Sequence, residues 1–276
     1  MEAFVVAYEP VVRLAAFVVV LAAMAIWEVL APRRPRTLAR RQRWPANLSI
    51  IVLNTFILRL VFPTAAAGMA LLVQAKGWGL LHQAGAPAWT AVMAGIVLLD
   101  LAIYLQHAVF HAVPALWRLH RMHHADLDID VTTGARFHPF EIALSLLIKF
   151  SMIAALGVSP LAVVLFEILL NATSMFNHSN VRIPPALEPA LRWLVVTPDM
   201  HRVHHSIERD ETDSNFGFNL PLWDRMFGTY RAQPRAGHEA MTIGISEFRD
   251  AAECNTLAGM LAIPFHKGVA PRRNGG

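Results

Sequence analysis

The sequence predicts an all-α protein: an integral membrane bundle of about four transmembrane helices, the last a helical hairpin, with a cytoplasmic histidine-rich cap. The 276-residue chain is 55% hydrophobic and only 16% charged, whereas about a quarter of a soluble domain is charged. Its apolar residues are concentrated in runs long enough to cross a bilayer, which takes about 20 residues per helix. Its 13 histidines fall mostly between and after the later runs.

Four apolar runs predict the spans, at residues 11–31, 48–73, 88–110 and 142–176. The fourth is longer than one crossing requires, and the sequence GVSP at 157–160 interrupts it. Glycine and proline so placed mark a turn, so we expect a hairpin with arms at 142–156 and 161–176. The first run should be a retained span rather than a signal peptide, because an acidic N-terminus precedes it and arginines follow it.

An arginine-rich segment at 32–43 supplies much of the positive charge behind the pI of about 9.7. Such juxtamembrane arginines fix topology or contact anionic lipid headgroups, which argues against a nucleic-acid partner. The positive-inside rule then predicts an N-terminus outside the cytoplasm, with the histidine clusters and the tail after residue 179 inside it. The single cysteine, Cys254, excludes an internal disulfide framework.

The histidines form HxxxH once and HxxHH twice, spacings that place imidazoles on one helical face. Neutral imidazole is a common metal ligand, and histidine-rich sets with few thiolates suit iron, zinc, copper or nickel. A single pair of histidines would be interpreted as hydrogen-bonded or solvated residues, but three such motifs on one side of the membrane favour metal binding. The nine candidate ligands are His107, His111, His120, His123, His124, His178, His201, His204 and His205. They exceed the four ligands of zinc or the six of one iron, so two metals with open positions are expected.

His178 joins this set because a polar stripe ends at it. Glu167, Asn171 and Ser174 precede it on one helical face, and Asp100 and Tyr104 precede His107 and His111 in the same way. Polar groups inside a span normally face the bundle interior, so the two stripes should face each other. The candidates for orienting the ligands are then Asp100, Tyr104, Glu167 and Asn171. Alternatively, these residues form an interhelical hydrogen-bond network without a metal role. We also expect Arg59 to pair with Glu167 at similar depth.

These motifs resemble the fatty acid hydroxylase/sterol desaturase superfamily of membrane di-iron oxygenases. Beside the three histidine motifs, RFHPFE at 136–141 matches an element of that family, as do TPDMHRVHHS at 197–206 and NFGFNLPLWDRMFGTY at 215–230. The resemblance covers roughly 107–230. It adds Arg136 and Glu141 as candidates for orienting ligands and His138 as a further candidate ligand. The expected parts are residues 1–47 (first helix and arginine-rich loop), 48–106 (helices two and three), 107–230 (catalytic region, including hairpin 142–177) and 231–276 (cytoplasmic tail).

The resemblance implies two iron ions, with zinc as an occupant in purified samples, and O₂ as co-substrate. It implies hydroxylation or desaturation of an unactivated C–H in a sterol, fatty acyl, alkylglycerol or carotenoid-like lipid. Electrons would come from a separate ferredoxin, rubredoxin or cytochrome b5-like carrier with its reductase. Two alternatives stay open, a haem or metal carrier without oxygenase activity and a dizinc membrane hydrolase. Arg118, Arg121 and Arg202 are either contacts for an anionic headgroup or solvated surface residues.

Overall fold

The computed structural model describes residues 7–62, 64–85 and 87–266. In this part of the chain the fold is all-α, and only isolated β-bridges occur. Its helices are α1 (Glu9–Leu30), α2 (Arg40–Val61), α3 (Ala66–Lys76), α4 (Leu80–Gln83), α5 (Ala88–Ala112), α6 (Pro114–His124), α7 (Pro139–Leu156), α8 (Pro160–His178), α9 (Glu188–Leu194), α10 (Pro198–His204), α11 (Arg209–Thr212), α12 (Leu222–Met226), α13 (Gly237–Ala240), α14 (Ala251–Cys254) and α15 (Leu257–Ala262). Two 3₁₀ turns, Thr133–Ala135 and Ile263–Phe265, complete the set.

Five helical stretches of the described residues are long and apolar enough to cross a membrane: Glu9–Leu30, Arg40–Gln83, Ala88–Ala112, Pro139–Leu156 and Pro160–His178. The predicted class is therefore confirmed. The stretches number five because both arms of the predicted hairpin are spanning helices, α7 with 18 residues and α8 with 19. Many of their outward side chains are large and apolar, as on α1, where Val11 and Val19 are each 65% exposed. Such a surface suits lipid rather than water.

Proline and glycine fix where the helices of the hairpin begin and end. Proline occupies the first helical position of both α7 and α8, where its missing N–H costs no hydrogen bond. Gly157 ends α7 in the left-handed conformation, with φ 73°. A side chain there would also collide with Trp78, because an added Cβ would lie 2.6 Å from its carbonyl oxygen. The turn predicted at GVSP is thus also a contact with the segment before α4.

The second apolar run differs from its prediction. A single helix was expected over 48–73, but α2 already begins at Arg40 and ends at Val61, and α3 follows as a separate 11-residue helix. The sequence has proline at 63, and the residue before a proline is biased towards extended backbone; Phe62 is extended, with φ −113° and ψ 107°. Arg59 therefore lies in the last turn of α2, about 28 Å along the helix from Arg40, rather than in mid-span.

The packing of the helices brings four helix termini to one end of the bundle. Helix α8 is the central element, because α1, α3, α5 and α10 all pack against it. The apolar core between α3, α5, α7 and α8 includes Leu99, Ile153 and Phe166, with Phe218 from a later loop at its edge. The C-terminal ends of α5 and α8 lie beyond this core, where α6 and α10 close the end of the bundle.

Candidate metal centre

All nine candidate histidines converge at this end of the bundle. His107 and His111 come from the last turns of α5, and His178 is the last residue of α8. The two HxxHH motifs lie at the ends of α6 and α10. All nine side chains are buried, and none is more than 4% exposed. Motifs up to 98 residues apart, from His107 to His205, therefore contribute to one buried centre.

The nine imidazoles form two adjoining groups, each with ligand atoms within 4.8 Å of one another. The first histidine group contains His107, His111, His120, His124 and His204. The second histidine group contains His123, His178, His201 and His205. The rings of His124 and His205, one from each group, stack with centroids 4.6 Å apart. Each group has the composition and spacing to hold one metal ion.

Each HxxHH motif is divided between the two groups. Its first and last histidines, four residues apart, lie only about 40° apart around a helix, whereas the middle histidine is rotated further away. His120 and His124 accordingly join the first group, and His123 joins the second. The later motif does the reverse, since His201 and His205 join the second group and His204 the first. Neither motif can complete either group by itself.

Most of the rings are oriented by a hydrogen bond at Nδ1. In the first group, His107 Nδ1 donates to the carbonyl of Phe216 at 2.7 Å, and His204 Nδ1 to that of Ser214 at 2.7 Å. In the second, His178 Nδ1 donates to the carbonyl of Ser174 at 2.7 Å, and His123 Nδ1 to that of Arg136 at 3.2 Å. Carbonyl acceptors fix the tautomer with Nδ1 protonated, so Nε2 carries the lone pair.

The Nε2 atoms then face one another without a proton to share. His107 Nε2 lies 3.0 Å from His120 Nε2, and the Nδ1 of each ring donates elsewhere. His123 Nε2 and His178 Nε2 repeat this arrangement at 3.1 Å in the second group. His204 Nε2 and His205 Nε2 are buried with no hydrogen-bond partner at all. Converging lone pairs in a buried site call for a cation between them, so the residues present fit a metal.

Burial also favours the protonation state that binds metal. It is the main cause that lowers the pKa well below 6.5 for the histidines outside the spans, with the neighbouring imidazoles adding to it. These histidines are His123, His124, His201, His204 and His205. They are neutral at physiological pH, and neutral imidazole is the form that ligates metal.

The RFHPFE element contributes to the centre through two contacts. Glu141 accepts a hydrogen bond from His120 Nδ1 at 2.6 Å, and the carbonyl of Arg136 orients His123. His138 is in neither group: it is the N-cap of α7, where its Nδ1 accepts from the backbone N–H of Phe140 at 3.2 Å. Its ring contacts Phe140 and Phe265 instead of other histidines.

The stripe on α5 faces the loop that contains NFGFNLPLWDRMFGTY rather than the stripe on α8. Asp100 accepts hydrogen bonds from Asn219 Nδ2 at 2.7 Å, Trp223 Nε1 at 2.8 Å and the backbone of Leu220 at 3.2 Å. The Tyr104 hydroxyl lies 2.8 Å from Thr229 Oγ1. These residues hold in place the loop whose Phe216 carbonyl orients His107. Their influence on the histidines is indirect.

The predicted pair between Arg59 and Glu167 is wrong. Glu167 pairs with Lys149 at 2.6 Å and with Arg13 at 2.9 Å, while Arg59 is exposed near the far end of α2. The pair fails because α1, not α2, packs along α8. Glu167 therefore sits in an ion-pair network about 16 Å along α8 from His178. The amide of Asn171 donates to the carbonyl of Glu167 in its own helix, at 2.9 Å.

Two of the three arginines considered as surface residues are buried. Arg202 is fully buried against Asp199, and Arg121 donates to the carbonyls of Ile263 and His266 at the end of the described chain. Arg118 also donates to a carbonyl, that of Pro264, at 2.9 Å. All three join the chain to itself, and of the three only Arg118 is exposed.

Several residues that hold the centre were not expected from the sequence. Glu28, Arg43 and Asp126 are completely buried although they are charged. Asp213 accepts from His111 Nδ1 at 3.1 Å, and Phe137 stacks on His123 at 4.5 Å. The run ADLDID at 125–130 was one available signal, because three alternating aspartates directly after a histidine motif require cationic partners if they are buried.

Known proteins with similar sequences include hydroxylases and monooxygenases. Over 145 residues the chain is 31% identical to the ornithine lipid hydroxylase OlsE of Rhizobium tropici, covering 52% of this chain and 43% of that protein. It is 32% identical over 146 residues to the alkylglycerol monooxygenase of Xenopus tropicalis, covering 51% and 30%. The fatty acid hydroxylase vlmA of Lecanicillium sp is 24% identical over 204 residues, covering 68% and 53%.

The chain thus spans about half or less of the length of these relatives. No solved structure matches it. The fatty acid hydroxylase family profile matches residues 92–229, which is half of the chain and contains all nine histidines of the centre. On this match, and on the histidine motifs it encloses, the chain belongs to the fatty acid hydroxylase family.

Proposed function

We propose that the protein is a membrane-bound, O₂-dependent di-iron hydroxylase that inserts one oxygen atom into an unactivated C–H of a lipid chain. The observation that carries this proposal is the pair of buried histidine groups whose Nε2 lone pairs converge. The named relatives act as hydroxylases or monooxygenases, which favours hydroxylation over desaturation. The balance is RH, O₂, two electrons and two protons giving ROH and water.

The two groups would each hold one metal ion through Nε2. Nine imidazoles without thiolates suit iron, and the same set accepts zinc where zinc is abundant. When bound, a pair of irons supplies the O₂ chemistry that oxidises an aliphatic C–H, while the protein supplies position and electrostatics. Glu141 and the carbonyls of Ser174, Ser214 and Phe216 keep Nδ1 protonated, so that every anchored ring presents Nε2 to the metal.

The surroundings of the centre suit an apolar lipid chain as the substrate. On the membrane side the histidines contact aromatic rings: Phe137 stacks on His123, and Phe218 lies 5.0 Å from His107. Phe218 belongs to the apolar core between the spans. A chain entering from the bilayer would therefore reach the metals without crossing water, and the same side chains keep water from the oxidant. We propose a polar lipid with an acyl or alkyl chain as the substrate class.

Two further features follow from the proposed reaction. The electrons would come from a separate ferredoxin, rubredoxin or cytochrome b5-like carrier and its reductase. The centre would face the cytoplasm, because the arginine-rich segment 32–43 lies at the same end of the bundle as the histidines. A fluorescent protein fused after residue 276 should then mature in intact bacterial cells, and a C-terminal alkaline phosphatase fusion should be inactive. The opposite pattern would reverse the assignment.

The function is tested by comparing lipids of a host with and without the gene, under air and under nitrogen. We expect lipids heavier by one oxygen atom only with gene and air, and iron in the purified protein. Lipids lighter by two hydrogens would indicate desaturation instead. His123→Ala should abolish the product, whereas His82→Ala, which removes an exposed histidine outside both groups, should leave it unchanged.

The alternatives predict different outcomes. A haem carrier would contain stoichiometric haem and no new lipid product. A dizinc hydrolase would act without O₂ and would gain no activity from iron and a reductant. Either result, reproduced with the intact chain in lipid nanodiscs, would remove the oxygenase from consideration.

A further inference from the structure

Arg43, within the arginine-rich segment, is fully buried rather than directed towards lipid headgroups. Its Nε and Nη2 donate to the two carboxylate oxygens of Asp126, each at 2.7 Å, and its Nη1 donates to Asp130 at 2.7 Å. Both acids are also fully buried. A bidentate guanidinium–carboxylate pair fixes both position and orientation. Arg43 thus attaches α2 to the loop that follows the histidines of α6.

One branch of this network leads to His123. Asp126 lies two residues after His124, and the guanidinium of Arg136 lies 3.9 Å from it. Arg136 Nε donates to the carbonyl of Met122 at 3.0 Å, and the Arg136 carbonyl accepts the hydrogen bond from His123 Nδ1. Arg136 is therefore held between Asp126 and α6, and its backbone sets the orientation of His123.

A second branch leads to His178. Thr133 accepts from Arg43 Nη2 at 3.0 Å and donates to Asp126 at 2.8 Å. The next residue, Gly134, packs on α8 so closely that an added Cβ would lie 2.5 Å from the carbonyl oxygen of Ser174. The Gly134 carbonyl accepts from Ser174 Oγ at 2.7 Å, and the Ser174 carbonyl orients His178.

Glu28 of α1 holds the same region from the other side. Its carboxylate is fully buried and accepts from the backbone N–H of Val131 at 2.7 Å and of Asn180 at 2.9 Å. Val131 is in the loop that Arg43 holds, and Asn180 lies two residues after His178. Arg40 Nη2 lies 2.8 Å from Glu28 Oε2 and balances the charge of this carboxylate. Two helices thus clamp the loop 126–136 onto the end of α8.

The partners of the first histidine group lie elsewhere. His107, His204 and His111 are oriented by residues 213–216, and His120 by Glu141 of α7. The ionic network of Arg43 and Glu28 reaches His123 and His178, both in the second group. The two groups therefore depend on different parts of the chain.

We propose that Glu28 and Arg43 are positioning residues for the second histidine group, and that α1 and α2 are thereby part of the metal centre. Both helices lie before residue 92, outside the matched family region. This inference rests on the proposed two-metal centre. Removing the charge of Arg43 leaves the buried carboxylates of Asp126 and Asp130 without their closest cationic partner. Removing the charge of Glu28 leaves the partly buried Arg40 without its carboxylate partner. Losing residues that orient ligands typically weakens metal binding about 10- to 100-fold.

The test compares Arg43→Gln and Glu28→Gln with Arg41→Gln, an exposed arginine in the same segment. The full-length proteins, in nanodiscs, are titrated with Co²⁺ while bound metal and the visible absorption of cobalt–imidazole coordination are recorded. We expect two Co²⁺ per chain in the unmodified protein and in Arg41→Gln. In the other two variants one Co²⁺ should bind unchanged and the second about 10- to 100-fold more weakly.

Arg43→Lys and the double variant Arg43→Gln/Asp126→Asn keep the test decisive if a single change prevents folding. Lysine keeps the positive charge but lacks the bidentate guanidinium, and it should restore part of the second site. The double variant removes the charge of Asp126 together with that of Arg43. Two sites of unchanged affinity in Arg43→Gln and Glu28→Gln would overturn the proposal. Equal loss of both sites, by unfolding or by uniform weakening, in every variant would also overturn it. An unmodified protein that binds no pair of Co²⁺ ions would instead refute the two-metal centre itself.

Discussion

The two histidine groups adjoin each other but are held in different ways. The first takes its orienting partners largely from the loop 213–216, and one of them, Asp213, has a side chain that is 38% exposed. The partners of the second, the carbonyls of Arg136 and Ser174, belong to residues packed inside the protein. One group is thus oriented by a loop that reaches the surface, and the other by a buried ionic framework. Changes in the loop and changes in the framework should therefore have separable effects.

The largest effect should follow from removing a ligand of one group. His123→Ala should lower turnover by more than about 100-fold, beyond the typical effect of residues that only orient ligands, and it should leave one metal bound. His111→Ala should remove the other metal. Metal content per chain, measured beside turnover, tests this. Loss of both metals from either variant would mean that the groups act as one inseparable site.

A smaller and one-sided effect is expected for Asp100→Asn. Asp100 accepts hydrogen bonds from Asn219, Leu220 and Trp223. It thereby fixes the loop whose Phe216 carbonyl orients His107. We expect metal binding to weaken about 10-fold in the first group only. Asn171→Ala is the matched control, because that amide bonds only to its own helix. Cobalt titration measures both, and equal weakening of the two sites would contradict the comparison.

Acidification should affect the metal-free protein more than the loaded protein. Burial lowers the pKa of His123, His124, His201, His204 and His205 well below 6.5, whereas in the unfolded chain it is about 6.5. Below that pH the unfolded state binds more protons, so folding stability falls by up to about 1.4 kcal/mol per pH unit for each such histidine.

Bound metal keeps these rings unprotonated and stabilises the folded state. Thermal unfolding of the metal-free chain should therefore occur at lower temperature at pH 5 than at pH 7, with a smaller change in the loaded chain. A metal-free melting temperature that is independent of pH in this range would show that the imidazoles are solvated.

The smallest effect on the metal centre is expected from Glu167→Gln. This change leaves Lys149 without its carboxylate partner inside the membrane, whereas Arg13 keeps Glu9. Breaking a buried pair costs about 3–5 kcal/mol. The melting temperature should fall while both metal affinities stay unchanged. Arg59→Gln, at an exposed position, should alter neither. A shift in metal affinity for Glu167→Gln would connect this network to the histidines after all.

The sequence was sufficient for the parts of the fold that depend on local pattern. Apolar length predicted the spans, GVSP predicted the hairpin, and helical spacing together with span order predicted that the nine histidines share one end of the bundle. It was not sufficient for charges whose partners are distant in the chain. Arg43 and Asp126 are 83 residues apart, and Glu28 and Asn180 are 152 apart. Arg59 was misplaced because the end of α2 depends on a break inside an otherwise continuous apolar run.

The division of each HxxHH motif between both groups has a consequence for biogenesis. The first group is incomplete until His204 has been synthesised, and the second until His205 has followed. By then all five candidate spanning stretches have been synthesised, because the last of them ends at His178. Full metal uptake must therefore come after synthesis of every candidate span, once α10 has packed beside α6. Metal content would then report correct assembly of the bundle, and an immature or misassembled chain would hold too few ligands for either complete site.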